Sequence, residues 1–389
     1  MTAPKPLEGV RVLDLSRVLA GPWSGQLLAD YGADVIKVER PGPGDDTRAW
    51  GPPWFGDPAQ RMSAYYLSCN RGKRSVAVDI ATAEGAALVR ELAAEADVLL
   101  ENYKVGQLAK YGLDVASLQA INPGLVYCSI TGFGQDGPYA PNAGYDFAIQ
   151  ATGGLMSVTG EKEGTPGSQP QKVGVAVADL FTGVYATTAI LAALVERGRT
   201  GRGRHIDAAL LDTQVAMLAN QASNYLVGGK TPKRMGNAHV NVVPYQVFAT
   251  RDGHIVLAIG NDGQFARFCQ LAGHAEVARD PRYLSNDTRI AHRDELIATM
   301  SAWMLERSTA EWTALLEPNA VPCAPILALP EVFSHPQVRA RGMQIRAGEM
   351  PMVATPMRFD GQRPVATQPP PRLDEHGDEV RRGHAWRPR

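Results

Sequence analysis

The stretch "VRVLDLSRVLAGPWSGQLLADYGADVIKVER", residues 10–40, decides the fold. Two short apolar runs, at 10–16 and 34–40, flank the helical pattern "GQLLADYG" at 25–32. A strand, a helix and a second strand joined by short connections are typical of a βαβ unit, whose strands are parallel. The stretch therefore predicts a parallel sheet covered by helices.

The same alternation continues along the chain. "EGAALVRELAAEA" at 84–96 has helical spacing, whereas "DVLLEN" at 97–102 and "LVYCSIT" at 125–131 are short apolar runs. Repeated strand, helix and strand patterns of this kind indicate the α/β fold class. We predict a large domain with a parallel sheet of Rossmann-like type.

The pattern changes after residue 200. Residues 205–226 continue a helical apolar face, and "VVPYQVFATRDGHIVLAIG" at 242–260 has the form of a hairpin with a DG turn. Helical patterns follow at 264–273 and 293–306. This part of the chain predicts a smaller α+β domain.

The predicted domain organisation has four segments. They are a large α/β domain at 1–200, a linker helix at 201–224, the small α+β domain at 225–330, and a return to the large domain as a C-terminal wrap at 331–389. The wrap is predicted because "VATQPPPRLDEHGDEVRRG" combines prolines with charges and does not suit a central strand.

Composition excludes several classes of protein. The 389 residues carry 39 basic and 40 acidic side chains, so no overall positive field favours nucleic acid. The four cysteines form no CxxC or Cys/His pattern, and no HExxH occurs, so we predict no metal. The N-terminal residues lack a signal-peptide layout, and dispersed thiols suit a reducing compartment, which predicts a cytoplasmic protein.

The apolar stretch at 173–195 approaches the length of a membrane span. It contains Asp179 and two glycines, which favours a buried core helix over a span. We therefore predict no membrane partner.

Two motifs have residue patterns that also occur in phosphate-binding loops. "GFGQDG" at 132–137 satisfies GxGxxG, but Pro138 follows at once, which favours a turn over a dinucleotide site. "NRGKRS" at 70–75 is either a solvated basic loop or a phosphate cradle with Lys73 and Arg74. Arg40, after a predicted strand, suits the same ligand.

Asp179 stands at the start of a long helical pattern in "KVGVAVADLFTG", residues 172–183. An aspartate there is a helix N-cap or, because the helix dipole and N–H donors favour its ionised form, a nucleophile. The two interpretations are compatible.

Six segments in order resemble the class III CoA-transferases, the family of formyl-CoA transferase, carnitine CoA-transferase and α-methylacyl-CoA racemase. They are "PLEGVRVLDLSRVLAGPWSGQLLADYGADVIKVERPGPGDDTR", "NRGKRSVAVD", "VLLENY", "CSITGFGQDGPYAPNAGYD", "ADLFTGVYA" and "RTGRGRHIDAAL". Residues 219–255 further resemble the succinyl-CoA:glutarate branch of the family.

The resemblance implies an interlocked homodimer with active sites between large and small domains. It implies that Asp179 attacks an acyl-CoA thioester, giving a mixed anhydride and then an aspartyl-CoA thioester. Racemases of the family carry "GHD", where this chain has "GYD" with Tyr145. Because tyrosine is a poor base but a good hydroxyl donor, Tyr145 favours transfer over racemisation.

The resemblance also implies positions for the substrates. For CoA the matching positions imply that Arg40, Lys73 and Arg74 lie near phosphates, that Asn102 and Tyr103 lie beside the adenine, that Lys110 adds a point charge, and that Arg17 and Val18 line the thioester site. For the far carboxylate of a dicarboxylic acid the candidates are Arg234 and His239, either as ligands or as a basic surface turn, and Gly260 lies in the stretch that matches the family's lid loop.

We therefore predict an enzyme that moves CoA from an acyl-CoA, such as succinyl-CoA, to a carboxylic acid, such as glutarate. Its partners are these substrates and a second copy of the chain, and it needs no permanently bound cofactor. An acyl-CoA racemase and a non-catalytic acyl-CoA-binding protein are the alternatives.

Overall fold

The computed structural model describes residues 5–382 and 385–387. These residues form two compact units. The first contains the described parts of Met1–Leu155, Val173–Leu226 and Pro336–Arg389. The second contains Met156–Lys172 and Val227–His335.

The strands are short, and most of them lie in the first unit. In chain order they are β1 Arg11–Asp14, β2 Asp34–Glu39, β3 Trp54–Phe55, β4 Met62–Ser63, β5 Lys73–Ala77, β6 Val98–Glu101, β7 Val126–Thr131, β8 His205–Ala209, β9 Tyr245–Ala249, β10 His254–Ala258, β11 Cys323–Pro325, β12 Gln344–Ala347 and β13 Met350–Val353.

The α-helices range from four residues to 24. In chain order they are α1 Ala20–Asp30, α2 Ala64–Ser68, α3 Ala83–Glu95, α4 Val115–Ile121, α5 Asp146–Thr152, α6 Leu155–Val158, α7 Val177–Thr200, α8 Leu210–Met217, α9 Ala219–Gly228, α10 Asp262–Ala272, α11 Asn286–Ala291, α12 Arg293–Met304, α13 Thr309–Leu316, α14 Leu329–Ser334, α15 Pro336–Ala340 and α16 Gly377–Arg381.

A six-stranded parallel sheet in the order β5-β2-β1-β6-β7-β8 organises the first unit. Successive side chains of each strand point to opposite faces. On one face Val12 packs with Leu28 of α1 and Ile190 of α7. On the other, Leu13 packs with Val89 of α3 and Leu118 of α4. The predicted α/β class with a parallel sheet is confirmed.

The prediction of a helix from residue 201 is wrong for its first part. Residues 205–209 form strand β8, which pairs in parallel with β7 at the edge of the sheet. Alternating exposed and half-buried residues in "HIDAA" satisfy an edge strand, and the helical pattern begins only at Leu210. The edge position in the sheet overrides the helical spacing that continues beyond it.

The second unit is built on an antiparallel sheet in the order β11-β10-β9. The predicted hairpin joins β9 to β10 through the turn that contains Asp252 and Gly253. Helices α10, α12 and α13 cover this sheet with Phe268, Met300 and Trp312. The unit also takes in residues 156–172, which were predicted to belong to the large domain. Within the unit, the Glu163 N–H donates to the Arg234 carbonyl.

The last part of the chain returns to the first unit. The N–H of Gly72 donates to the carbonyl of Gln368, and the N–H of His376 donates to the carbonyl of Ser75. These bonds hold the proline-rich segment beside strand β5.

The basic residues around the start of β5 are buried and paired. Lys73 and Arg74 are each 1% exposed. The Nζ of Lys73 lies 2.8 Å from Asp14, and Arg74 binds both carboxylate oxygens of Asp34. The prediction that they bind phosphate is wrong, because both are on the strand, whereas ligands of parallel sheets bind beyond the strands' carboxyl ends.

Helix α7 is the one helix, among the residues described, that is long and apolar enough to cross a membrane by length and composition. One side packs on α1: a Cβ added to Gly183 would lie 2.6 Å from the Ala20 carbonyl oxygen, so the two backbones approach closely. The hydroxyls of Ser24 and Thr187 are hydrogen-bonded at 2.9 Å. The other side leaves four apolar side chains exposed, namely Phe181, Val184, Tyr185 and Val195.

We predict that Arg74→Met lowers the free energy of unfolding by about 3 kcal/mol, because it leaves the buried Asp34 carboxylate without its main partner. Urea unfolding followed by circular dichroism measures the loss. Arg382→Met is the control, because its pair with Asp378 is largely exposed and should contribute less than about 1 kcal/mol. Equal effects of the two variants would contradict the buried pairing.

Candidate active site

The carboxyl ends of β1, β6 and β7 meet at one edge of the first unit's sheet, where a cavity of about 470 Å³ opens. The loops after parallel strands carry ligand sites in α/β proteins. Six of the predicted residues line this cavity, namely Arg17, Val18, Asn102, Tyr103, Tyr145 and Asp179. Segments separated by up to 162 positions in the sequence thus converge.

Asp179 lies in the first turn of α7 but is not its N-cap. The helix starts after Ala176, whose side chain makes no cap bond. The cap is the carboxylate of Asp146, which accepts hydrogen bonds from the N–H groups of Ala178 at 2.8 Å and Asp179 at 3.3 Å. The Asp179 carboxylate is therefore not used to cap the start of the helix, and Asp179 lines the cavity.

The protonation of Asp179 differs from that of an ordinary aspartate. Burial, and then the neighbouring charge of Asp146, raise the pKa of Asp179 from 3.8 to about 7. The helix start was expected to favour the ionised form of this carboxylate, whereas desolvation and the charge of Asp146 act in the opposite direction. A pKa near 7 gives a more basic carboxylate that is still ionised in part at neutral pH.

Tyr145 is held at the cavity wall by a close backbone approach. A Cβ added to Gly132, just after β7, would lie 2.4 Å from the Cα of Gly144, so neither position has room for a side chain. Tyr145 follows directly, precedes α5 and is 67% exposed. Gly132 of "GFGQDG" therefore serves the close backbone approach to Gly144, next to Tyr145.

Arg17 and Val18 line the cavity from a strained turn. Val18 has a φ of 72°, in the left-handed region that a β-branched residue rarely adopts. The amide of Asn102 binds the backbone N–H and carbonyl of Arg17, at 2.9 and 2.8 Å. The Asn102 amide thus braces this turn, and the place of Asn102 beside an adenine stays a prediction.

A second cavity of about 230 Å³ adjoins the first, since Arg17, Tyr103 and Gln107 line both. Its other walls are Arg40 and residues 78–81, which follow the end of β5. Arg40 is exposed there. Lys110 lies in a 3₁₀ turn next to Tyr111 of this cavity, and its side chain is exposed.

Sequence reasoning missed several residues of the site. Trp50 and Lys104 line the first cavity. The ring of Trp50 stacks edge-on against Tyr65 at 5.0 Å, and burial followed by the charge of Asp179 raises the pKa of Tyr65 to about 12. Asp146 follows the predicted Tyr145 directly. Its position at the start of α5 is the sequence feature that could have identified it as a residue of the site. Trp50 and Tyr65 carry no spacing that would have identified them.

The other three candidates belong to the second unit. The Nε of Arg234 is buried and has no hydrogen-bond partner among the described residues. His239 lies in the same loop, with its ring 5.2 Å from that of Tyr245. The N–H of Gly260, after β10, donates to the side chain of Gln264, and the residue is exposed. Within residues 5–382 and 385–387, no group of three His, Cys, Asp or Glu side chains is arranged for a metal.

Relatives of known activity match nearly the whole chain. "Succinate--glutarate CoA-transferase" of Agrobacterium fabrum (strain C58) is 52% identical, over 96% of this chain and 94% of its own. "Succinyl-CoA:glutarate CoA-transferase" of Homo sapiens is 45% identical, over 97% of this chain and 85% of its own.

Solved structures have the same fold. A CaiB/BaiF family protein from Brucella suis has a TM-score of 0.86 at 51% identity, over 97% of this chain and 99% of that one. A protein from M. tuberculosis has a TM-score of 0.86 at 32% identity, over 96% and 98% of the two chains. Residues 7–377 match the profile of CoA-transferase family III. The chain therefore belongs to CoA-transferase family III and is an enzyme that transfers coenzyme A.

Proposed function

We propose that this enzyme transfers CoA between succinyl-CoA and glutarate, with Asp179 as the nucleophile. The names of the relatives support this pair of acids. The observation that carries the mechanism is the half-buried carboxylate of Asp179. It lines the cavity, its pKa is raised to about 7, and among the described residues no hydrogen bond or ion pair occupies it.

In the first step an Asp179 oxygen attacks the thioester carbonyl. The C–O bond forms, the C–S bond breaks, and CoA leaves as its thiolate. The thiolate then attacks the Asp179 carbonyl of the mixed anhydride, which forms an aspartyl-CoA thioester and releases the first acid as a carboxylate. An anhydride keeps the group-transfer potential of the thioester, which a serine ester would lose.

The second acid reverses these steps. Its carboxylate attacks the aspartyl thioester, releasing thiolate and forming a new anhydride. The thiolate attacks the acyl carbon of that anhydride, which gives the new acyl-CoA and restores Asp179. No proton is consumed, so the site needs an ionised carboxylate and hydrogen-bond donors rather than a base.

Tyr145 is proposed as a donor to the developing oxyanion. Its hydroxyl is on an exposed ring in the cavity wall, and preorganised donors stabilise negative charge in the transition state. A histidine at this position would serve as a base for racemisation, which a tyrosine does poorly near neutral pH.

CoA is proposed to extend along the two adjoining cavities. The thioester lies at Asp179 in the larger one, and the adenosine end lies in the smaller one, against Tyr103. Arg40, with Lys110 nearby, supplies positive charge for phosphate groups. Arg17, which lines both cavities and lies over the Tyr103 ring at 5.8 Å, marks the connection.

The far carboxylate of the dicarboxylic acid is proposed to bind Arg234, with His239 and Gly260 as further contacts. The buried Nε of Arg234, which has no hydrogen-bond partner among the described residues, supports this role, because a buried donor without a partner costs free energy until an acceptor binds it. A planar guanidinium binds a carboxylate through two hydrogen bonds.

The chain is proposed to act as an interlocked homodimer. The exposed apolar side chains on α7, with Tyr225 and Leu226 on α9, are more than single exposed residues and suit a protein interface. A second copy of the chain is the proposed partner. The cytoplasmic location stays a prediction, supported by four cysteines that are all free thiols.

We predict that Asp179→Asn lowers the rate of CoA transfer by at least about 10³-fold, because the amide is not a nucleophile. Mixing the enzyme with succinyl-CoA and hydroxylamine should convert Asp179 to a hydroxamate, detected by mass spectrometry of its peptide. Asp212→Asn is the matched control, since Asp212 is an exposed aspartate in the first turn of α8. An unlabelled Asp179 peptide in an active enzyme would refute the nucleophile.

We predict that the rate of Asp179 acylation rises with pH around an apparent pKa of about 7, because only the ionised carboxylate attacks. Asp146→Asn should move this pKa down, since it removes a negative charge but keeps an oxygen to accept the Ala178 N–H. Stopped-flow rates between pH 5 and 9 measure the shift. A profile that does not move would show that Asp146 does not set it.

We predict that Arg234→Lys lowers the preference for glutarate over butyrate about tenfold, as the ratio of kcat/KM with one donor. Using the ratio cancels any effect on the donor. Lys233→Met is the matched control, because Lys233 is the adjacent exposed cation, paired with Glu163. Equal losses for the two acids would exclude Arg234 as the far-carboxylate ligand.

A further inference from the structure

Among the described residues, no backbone group is hydrogen-bonded to the backbone N–H or carbonyl groups of residues 16–18; side chains bind them instead. Asp14 accepts from the N–H and hydroxyl of Ser16. Lys37 donates to the Ser16 carbonyl at 2.8 Å. The Asn102 amide binds the backbone N–H and carbonyl of Arg17, and Asp45 accepts from the Val18 N–H at 3.3 Å.

Three of the side chains that bind the turn, those of Asp14, Lys37 and Asp45, are charged and fully buried, as is Lys73, which pairs with Asp14. Lys37 pairs with Asp45 at 2.9 Å, and Asp14 pairs with Lys73 at 2.8 Å. All four side chains have no exposed surface. Buried ion pairs are costly to desolvate, and apolar residues of the same size are often as stable, so stability alone is a weak reason for them.

The charges in the Lys37 and Asp45 pair are firmly held. Burial alone would lower the pKa of Lys37, but the charges of Asp45 and Asp14 outweigh it and raise that pKa. Burial acts to raise the pKa of Asp45, but the charge of Lys37 lowers it to about 2. Both groups are therefore ionised throughout the range in which the enzyme would be assayed.

The turn that they hold is strained and forms part of the cavity. The left-handed conformation of Val18 costs on the order of 1–3 kcal/mol and persists only where the surroundings impose it. Val18 and Arg17 both line the cavity that contains Asp179. Relaxation of Val18 to a negative φ would move both side chains.

We propose that the buried pair of Lys37 and Asp45, supported by Asp14 and Lys73, is a positioning device that imposes the conformation of Ser16, Arg17 and Val18 on the acyl-CoA site. Lys37, Asp14 and Lys73 line neither cavity, and Asp45 borders the smaller one with a carboxylate that has no exposed surface. They act through the turn, fixing one wall of the cavity before CoA binds. This inference rests on the proposed function, because it takes the cavity at Asp179 as the site of the thioester.

The test replaces the pair without leaving a buried charge. Lys37→Met/Asp45→Leu removes both ions at similar volume, a change that proteins often tolerate. Arg74→Met/Asp34→Leu is the matched control, because that buried pair lies in the same unit and binds neither the turn nor the cavity residues. Circular dichroism first establishes that each variant is folded; if the first is not, Asp45→Asn takes its place under the same criteria.

For the folded variants we measure equilibrium binding of CoA and the rate of Asp179 acylation. Loss of the Lys37 and Asp45 pair should weaken CoA binding and slow acylation, each by about tenfold or more, since small misplacements at a reacting centre have effects of that size. The control should stay within about twofold of the wild type. Equal effects in both variants, or none in the first, would overturn the proposal.

A rescue experiment separates positioning from general loosening. Val18→Gly added to the variant without the pair should recover part of the CoA affinity, because glycine adopts a positive φ without strain. No recovery would overturn the role of the turn. Failure of the proposed function is seen separately, as a wild-type enzyme that binds CoA but is not labelled at Asp179, while the binding measurements still decide this inference.

Discussion

The hydrogen bonds from the N–H groups of Ala178 and Asp179 to the carboxylate of Asp146 are the interaction on which the site depends. They satisfy the start of α7, a helix that has no N-cap side chain of its own. Gln150 donates to the other oxygen of Asp146 at 2.7 Å and accepts from Val173 N–H at 2.9 Å, so the segment leading into α7 is fixed as well. Because the Asp146 carboxylate caps the helix, the Asp179 carboxylate remains available for chemistry.

The same arrangement places the carboxylates of Asp146 and Asp179 close together. The relative size of two opposing free energies, from the helix dipole and from burial with the Asp146 charge, decides the protonation of Asp179. A helix start contributes about 0.3–1 kcal/mol in favour of a negative charge. A rise in pKa from 3.8 to about 7 corresponds to about 4 kcal/mol in the opposite direction. Burial and the Asp146 charge therefore prevail over the dipole. Asp146, which caps the start of α7, thus also makes the Asp179 carboxylate more basic, which links local structure directly to reactivity.

Much of this could be predicted from the sequence, for a physical reason. Arg17, Arg40 and Asn102 follow strands in an alternating pattern, and carboxyl ends of parallel strands meet at one edge, so their convergence followed from the order of the elements. Lys73 and Arg74 do not follow a strand but begin one. Their charges are neutralised by Asp14 and Asp34, which lie 59 and 40 positions away in the sequence. Side-chain pairing over such separations has no local signal.

Strand β8 illustrates the same limit for the fold, because an edge position is a property of the whole sheet and not of "HIDAA". Val18 is a further case, since nothing in the sequence around it requires a positive φ. Asp45 binds the Val18 N–H and Asn102 binds the backbone of Arg17, and both residues come from other loops.

The chemistry at Asp179 also opposes stability, and the sign follows from the pKa. In the folded chain the group binds its proton up to about pH 7, whereas an unfolded aspartate loses it near 3.8. Between these values the folded state holds more protons, so the contribution of Asp179 to stability falls as pH rises, and it is lowest above pH 7. That is the range in which the carboxylate is ionised and able to attack. The strained Val18 adds to the same cost, so the site draws on stability supplied elsewhere, by the sheet and its two apolar faces.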